Sequence, residues 1–183
     1  TLKKQLGSSS SSGVSFVASA GQGLSWFQSE GYAKLLKEVE KAEGSLPVAV
    51  VFNLGVNDMA NASNYVSYMT NIASTLKSKN CKLFYMSVNP LNSTMITKAG
   101  KGSRTEAQVR EFNSKIRSGL SANYKYIDTY SVLMKTGYGT NASYNGEDSV
   151  SDDGLHYTTK TFKRIYYYCV IYLNTGSIDS FYY

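Results

Sequence analysis

The chain of 183 residues has a single histidine, His156, within Ser151-Asp152-Asp153-Gly154-Leu155-His156-Tyr157-Thr158. Imidazole is the side chain whose ordinary pKa suits proton transfer near neutral pH. Asp153 stands three residues earlier, and Gly154 between them lets the chain turn sharply. On a loop leading into a helix, that spacing lets the carboxylate fold back onto the ring. It would then fix the tautomer and stabilise an imidazolium, as an orienting acid does for a general base. The same spacing also suits a carboxylate that caps a turn beside an ordinary surface histidine. A second stretch, Val48-Ala49-Val50-Val51-Phe52-Asn53-Leu54, is a continuous apolar run of the kind found in a buried parallel strand. It ends in Gly55-Val56-Asn57-Asp58. An asparagine just past the carboxyl end of such a strand faces the crevice where α/β proteins bind ligands, and its amide can donate to a developing oxyanion. A third stretch, Val14–Ser19, reads as a short strand. The loop Ala20–Gly23 after it carries two glycines that let backbone N–H groups face a ligand.

Together these blocks resemble the SGNH (GDSL-like) esterase/lipase family. Gly55-Val56-Asn57-Asp58 is similar to its G-x-N-D block and Asp153-Gly154-Leu155-His156 to its D-x-x-H block. Val14–Ser19 with Gly21-Gln22-Gly23 is similar to the strand and glycine block that precede them. The resemblance covers most of the chain, from Val14 to the last helix. It implies ester hydrolysis with His156 as base, Asp153 as its orienting acid, and the Gly21 amide and Asn57 side chain as oxyanion donors. Gly23 is the alternative to Gly21. The family's Gly-Asp-Ser block does not occur before Val14, where Thr1–Gly7, five serines and Gly13 stand. The nucleophilic serine is therefore not identifiable in this sequence and is expected upstream of Thr1. Its strand would lie between Val14–Ser19 and Ala49–Leu54. A serine within the flexible run Ser8–Ser12 lacks the rigid strand-end turn a nucleophile needs. The substrate this implies is an acyl or acetyl ester on a carbohydrate or other small molecule. The rival from another class is a non-catalytic, SGNH-like module that binds glycan without the nucleophile. No metal or organic cofactor is implied.

Length and composition set outer bounds. A chain of 183 residues, 42% hydrophobic, suits one globular domain spanning 1–183, and the resemblance implies that it lacks the family's first strand. No apolar run approaches the ~20 residues a membrane span needs. The net charge of +6 comes from scattered lysines and arginines interleaved with acids, so no clustered basic face points to nucleic acid. Secretion or display at the cell surface is the expected location. Cys81 and Cys169 have neither a metal nor a redox spacing and read as two buried free thiols.

The elements that must position these residues follow from hydrophobic period. Leu2–Leu6 reads as a short helix. Ser29 caps a helix with Tyr32, Leu35, Leu36 and Val39 on one face, closed by Gly44 and Pro47. Asn61–Lys77 is a helix with Tyr65, Met69, Ile72, Ala73 and Leu76 inward, and Lys82–Val88 is a strand. Leu91–Ser103 has no period and reads as a substrate-binding loop after a strand end. Thr105 opens a helix with Val109, Phe112 and Ile116 inward, and Tyr124–Tyr130 is the last strand. Ser131–Asp152 reads as a long irregular loop. Thr158 caps the final helix and Gly176 closes it. Strands alternating with helices predict an α/β fold: a three-layer α/β/α sandwich on a parallel, flavodoxin-like sheet. Four strands are legible, and the resemblance implies five.

Overall fold

A computed structural model describes residues 13–42, 44, 46–136, 143–144, 147–148 and 153–178. The short helix at Leu2–Leu6 and the serine run Ser8–Ser12 lie outside these residues, as does most of 137–152. Three parallel strands form the sheet: β1 (Val48–Phe52), β2 (Cys81–Met86) and β3 (Lys125–Ile127), in the order β1-β2-β3. Val48 pairs with Cys81 and Phe84 with Lys125. A separate two-stranded antiparallel ladder joins β4 (Ser143–Tyr144) to β5 (Glu147–Asp148).

The helices are α1 (Tyr32–Lys41), α2 (Ala62–Ser78), α3 (Ser93–Lys98), α4 (Glu106–Gly119), α5 (Thr129–Lys135) and α6 (Thr159–Thr175). Side chains alternate across a strand, so β2 faces two cores. Cys81, Leu83 and Tyr85 join one cluster with Val39 of α1, Met69 and Leu76 of α2, and Phe112 and Ile116 of α4. Phe84 and Met86 join the other with Leu133 of α5 and Ile165, Tyr168 and Cys169 of α6. The expected three-layer α/β arrangement follows from this division. Both cysteines are buried free thiols, as read from spacing, and burial raises the Cys169 thiol pKa to about 11.

Several sequence expectations are corrected. Val14–Ser19 joins no ladder, so among the described residues β1 has a strand on one side only. Extended propensity makes a strand only where a partner takes its hydrogen bonds. Tyr124–Tyr130 is a strand only at Lys125–Ile127. Asp128 then caps α5, its carboxylate accepting from Ser131 N at 3.0 Å. The loop read as beginning at Ser131 therefore opens inside a helix. The loop read at Leu91–Ser103 contains α3, capped by Asn92 through Met95 N at 3.0 Å. Both helices are too short to show a period, and their caps are their signal. Ser29 is not a helix start. It lies inside a π-helical stretch, Phe27–Gly31, which follows a single α-turn at Leu24–Trp26 and runs into α1. The Thr105 capping box, the Thr158 cap and the left-handed Gly176 at the end of α6 are all present.

Candidate active site

Each site residue occupies a loop at the carboxyl edge of the parallel sheet or a segment packed on one. Past β1, the Asn53 amide donates to Ser87 O at 2.9 Å, tying the exit of β1 to that of β2. The chain then turns at Gly55, whose φ of 119° suits glycine. A Cβ there would lie 2.2 Å from the Phe112 ring, so no side chain fits between this turn and α4. The turn presents Asn57 and Asp58. Asn57 Nδ2 donates to Gln22 O at 2.8 Å, which brings the glycine loop Ala20–Gly23 against the β1 exit. Asp58 strengthens this junction: Oδ2 accepts from Leu24 N at 2.8 Å and Oδ1 from the Tyr65 hydroxyl at 2.6 Å. Burial, reinforced by Asp58, pushes the Tyr65 phenol pKa up, so Tyr65 remains a donor. Gly23 is needed here because a Cβ would lie 2.4 Å from the Asp58 carboxylate. Gly21 takes a left-handed φ of 69° and is exposed, and its N–H makes no hydrogen bond among the described residues. Gly21 and Asn57 thus share one corner, where the Asn57 amide has one N–H committed to Gln22 and a second to spare.

His156 and Asp153 form the other corner. Asp153 Oδ2 accepts from His156 Nδ1 at 2.6 Å, while Oδ1 accepts from the backbone N–H of Leu155 and of His156, each at 2.9 Å. The turn-capping contact and the contact to the imidazole are therefore made together, one by each oxygen. A carboxylate only accepts, so the proton lies on Nδ1 and the lone pair on Nε2. The His156 side chain is 51% exposed, and Nε2 has no hydrogen bond among the described residues.

Why this loop holds its shape is legible in its neighbours. Leu155 packs on one core cluster and Tyr157 is buried in the other, so His156 between them is turned outward. Gly154 has a φ of 70° and a Cβ there would lie 2.6 Å from Asn92 O. Gly154 O accepts from Asn92 N at 2.9 Å, and the Tyr157 hydroxyl donates to Pro90 O. The His156 loop thus sits on the segment that leaves β2.

The same segment leads to the Asn57 corner through Arg104. Its Nε donates to Val56 O at 3.0 Å, one terminal nitrogen donates to Lys101 O at 2.6 Å and the other lies 3.4 Å from Asn57 Oδ1. A guanidinium on Oδ1 sets the Asn57 amide with Nδ2 directed away from Arg104. No hydrogen bond joins His156 to Asn57 directly among the described residues. Sequence reading did not single out Arg104, which is 47 positions from Asn57 in an aperiodic stretch. Its charge was read only as one of the scattered basic residues. Trp26 is half-buried and packs against the first core cluster.

The fold has a counterpart among known proteins. A lipase/acylhydrolase from Enterococcus faecalis superposes with a TM-score of 0.55 at 17% identity, covering 85% of this chain and 72% of that one. No curated protein matches the chain. The model of the family described as GDSL-like Lipase/Acylhydrolase matches residues 2–168, a span that takes in the glycine loop, the Asn57 turn and the His156 loop. The chain belongs to the GDSL-like lipase/acylhydrolase family, a family of ester hydrolases.

Proposed function

We propose that this chain is a serine ester hydrolase acting on an acyl or acetyl ester of a carbohydrate or other small molecule, with His156 as base and Asp153 orienting it. The reading rests above all on one observation: Asp153 Oδ2 holds His156 Nδ1 at 2.6 Å while Nε2 is left open to solvent. A serine Oγ attacks the acyl carbonyl and passes its proton to Nε2, forming the Oγ–C bond as the carbonyl π electrons move onto oxygen. The Gly21 N–H, the second N–H of Asn57 and the nucleophile's own N–H receive that oxyanion. Its collapse breaks the bond to the alcohol, which leaves with the Nε2 proton. Water then repeats the sequence and releases the acid. The edge of β1 that carries no strand among the described residues is where a further strand, bearing the serine, would complete the sheet.

The test is turnover of a short-chain aryl ester. His156→Ala is expected to lower it by several orders of magnitude, because members of such a triad act as a unit. Turnover equal to that of the parent protein removes His156 as base. Saturable glycan binding without any hydrolysis by the parent protein would replace the enzyme reading with a binding module.

A further inference from the structure

We infer that Glu106 is a positioning residue for the Asp153–His156 pair, holding their loop from beneath through the segment that leaves β2. The inference deepens the catalytic reading above and rests on it. Glu106 is the first residue of α4, yet its side chain turns back to the β2 exit. Oε1 accepts from Leu91 N at 2.5 Å and Oε2 from the Tyr130 hydroxyl at 2.7 Å. Leu91 is 1% exposed and lies directly between the two attachments of the His156 loop, the carbonyl of Pro90 and the N–H of Asn92.

The chain of contacts runs from Glu106 to Leu91, sideways to Pro90 and Asn92, then up to Tyr157 and Gly154, which flank His156. It joins residues from α4, the β2 exit, α5 and the His156 loop, whose order in sequence gives no hint of it. One carboxylate oxygen holds the Leu91 N–H while the other is anchored by the Tyr130 hydroxyl, so the carboxylate that holds Leu91 is itself fixed in orientation. Burial, then the negative charge of Glu106 and the Tyr130 phenol, push the Tyr157 pKa well above that of an ordinary phenol. Tyr157 therefore keeps the proton it donates to Pro90. A general base works only at near-attack geometry, and about 1 Å of misplacement costs on the order of 100-fold in rate. A carboxylate joined to the imidazole's loop through two hydrogen bonds and the peptide between them is well placed to set that geometry.

His156 is the only histidine, so its ring protons give one unambiguous set of nuclear magnetic resonance signals. The Nδ1–H proton on Asp153 is expected as a strongly deshielded, slowly exchanging resonance in the parent protein and absent in Asp153→Asn. Glu106→Ala is expected to broaden or abolish it while thermal unfolding stays cooperative. The same variant should lower kcat for an aryl ester on the order of 100-fold, with KM nearly unchanged. Glu106→Gln should restore both, since its carbonyl can accept from Leu91 and its amide can donate to the Tyr130 oxygen. A folded Glu106→Ala protein with a resonance as sharp as the parent's overturns the inference. If Glu106→Ala does not fold, Tyr157→Phe cuts the chain nearer its end. A broadened resonance there supports the inference, and an unchanged one overturns it. The two readings fail separately. If Asp153→Asn hydrolyses ester at the parent rate, the catalytic role of the pair is lost, whereas the resonance in Glu106→Ala still decides whether Glu106 positions it.

Discussion

Asp153 divides its work between two oxygens, and a substitution can separate them. Asp153→Asn keeps an acceptor for the Leu155 and His156 N–H groups, so the loop keeps its turn. The amide it presents to Nδ1 is a donor, however, and the imidazole must then carry its proton on Nε2, where it cannot act as base. The expected outcome is a melting temperature close to the parent's with kcat lowered by about 10⁴, the size of effect a wrong tautomer produces in a comparable triad. Calorimetry and ester turnover on the same preparation check both halves. A large loss of stability would show that the charge on Asp153 holds the loop, beyond its acceptor geometry. At this scale the sequence was informative where chemistry is local. The three-residue spacing, with glycine between, is enough to derive the Asp153–His156 contact. Arg104 and Glu106 were illegible because their partners are set by how loops from different strands meet. No spacing rule connects residue 104 with 57, or 106 with both 91 and 130.

Among the elements, α4 carries more of the site than its apolar stripe discloses. Besides Glu106 at its start, it carries the buried Asn113, which accepts from Val88 N at 2.9 Å and donates to Val88 O at 2.8 Å. The side-chain amide thus replaces a strand neighbour for the residue just beyond β2. Asn113→Ala would strip both partners from a buried peptide group, at a cost of about 1–3 kcal/mol for each group left unpaired. Chemical denaturation should show a lower midpoint at unchanged slope, since the surface exposed on unfolding is nearly the same. Asn113→Leu should be no better, because shape without a donor and acceptor leaves the same two groups orphaned. The long helices α2, α4 and α6 were readable because an apolar face repeats often enough to be recognised. The inward residues read for α2 and α4, such as Tyr65, Met69, Val109 and Phe112, are those that are buried. Helices α3 and α5 span about one to two turns and offer no such repetition. Val14–Ser19 has strand composition without a ladder, because pairing belongs to two segments and a sequence pattern describes one.

For the molecule as a whole, the sheet is asymmetric: β2 is flanked on both sides, while β1 is open on one among the described residues. Val48 N donates to Asn80 O at 3.1 Å, which fixes the direction of alternation in the β1–β2 ladder. The N–H groups of Val48, Val50 and Phe52 point to β2, and those of Ala49 and Val51 point to the open edge. Where no further strand covers that edge, amide hydrogen exchange is expected to be slow at Val50 and Phe52 and faster by orders of magnitude at Ala49 and Val51. Equal protection at all four would mean that another segment covers that edge. The same topology bears on how the chain reaches its native state. Every pairing in this sheet is parallel and joins segments far apart in sequence, Val48 with Cys81 and Phe84 with Lys125. Loop closure must precede the gain from each pairing, so the sheet assembles slowly compared with the helices around it. Through that interval the apolar run of β1 has one edge that β2 never covers. Until a further strand covers it, that edge can pair with β1 of another copy. Refolding yield should then fall with protein concentration even where the native protein is soluble, which makes dilution and low temperature the conditions under which this chain recovers its fold.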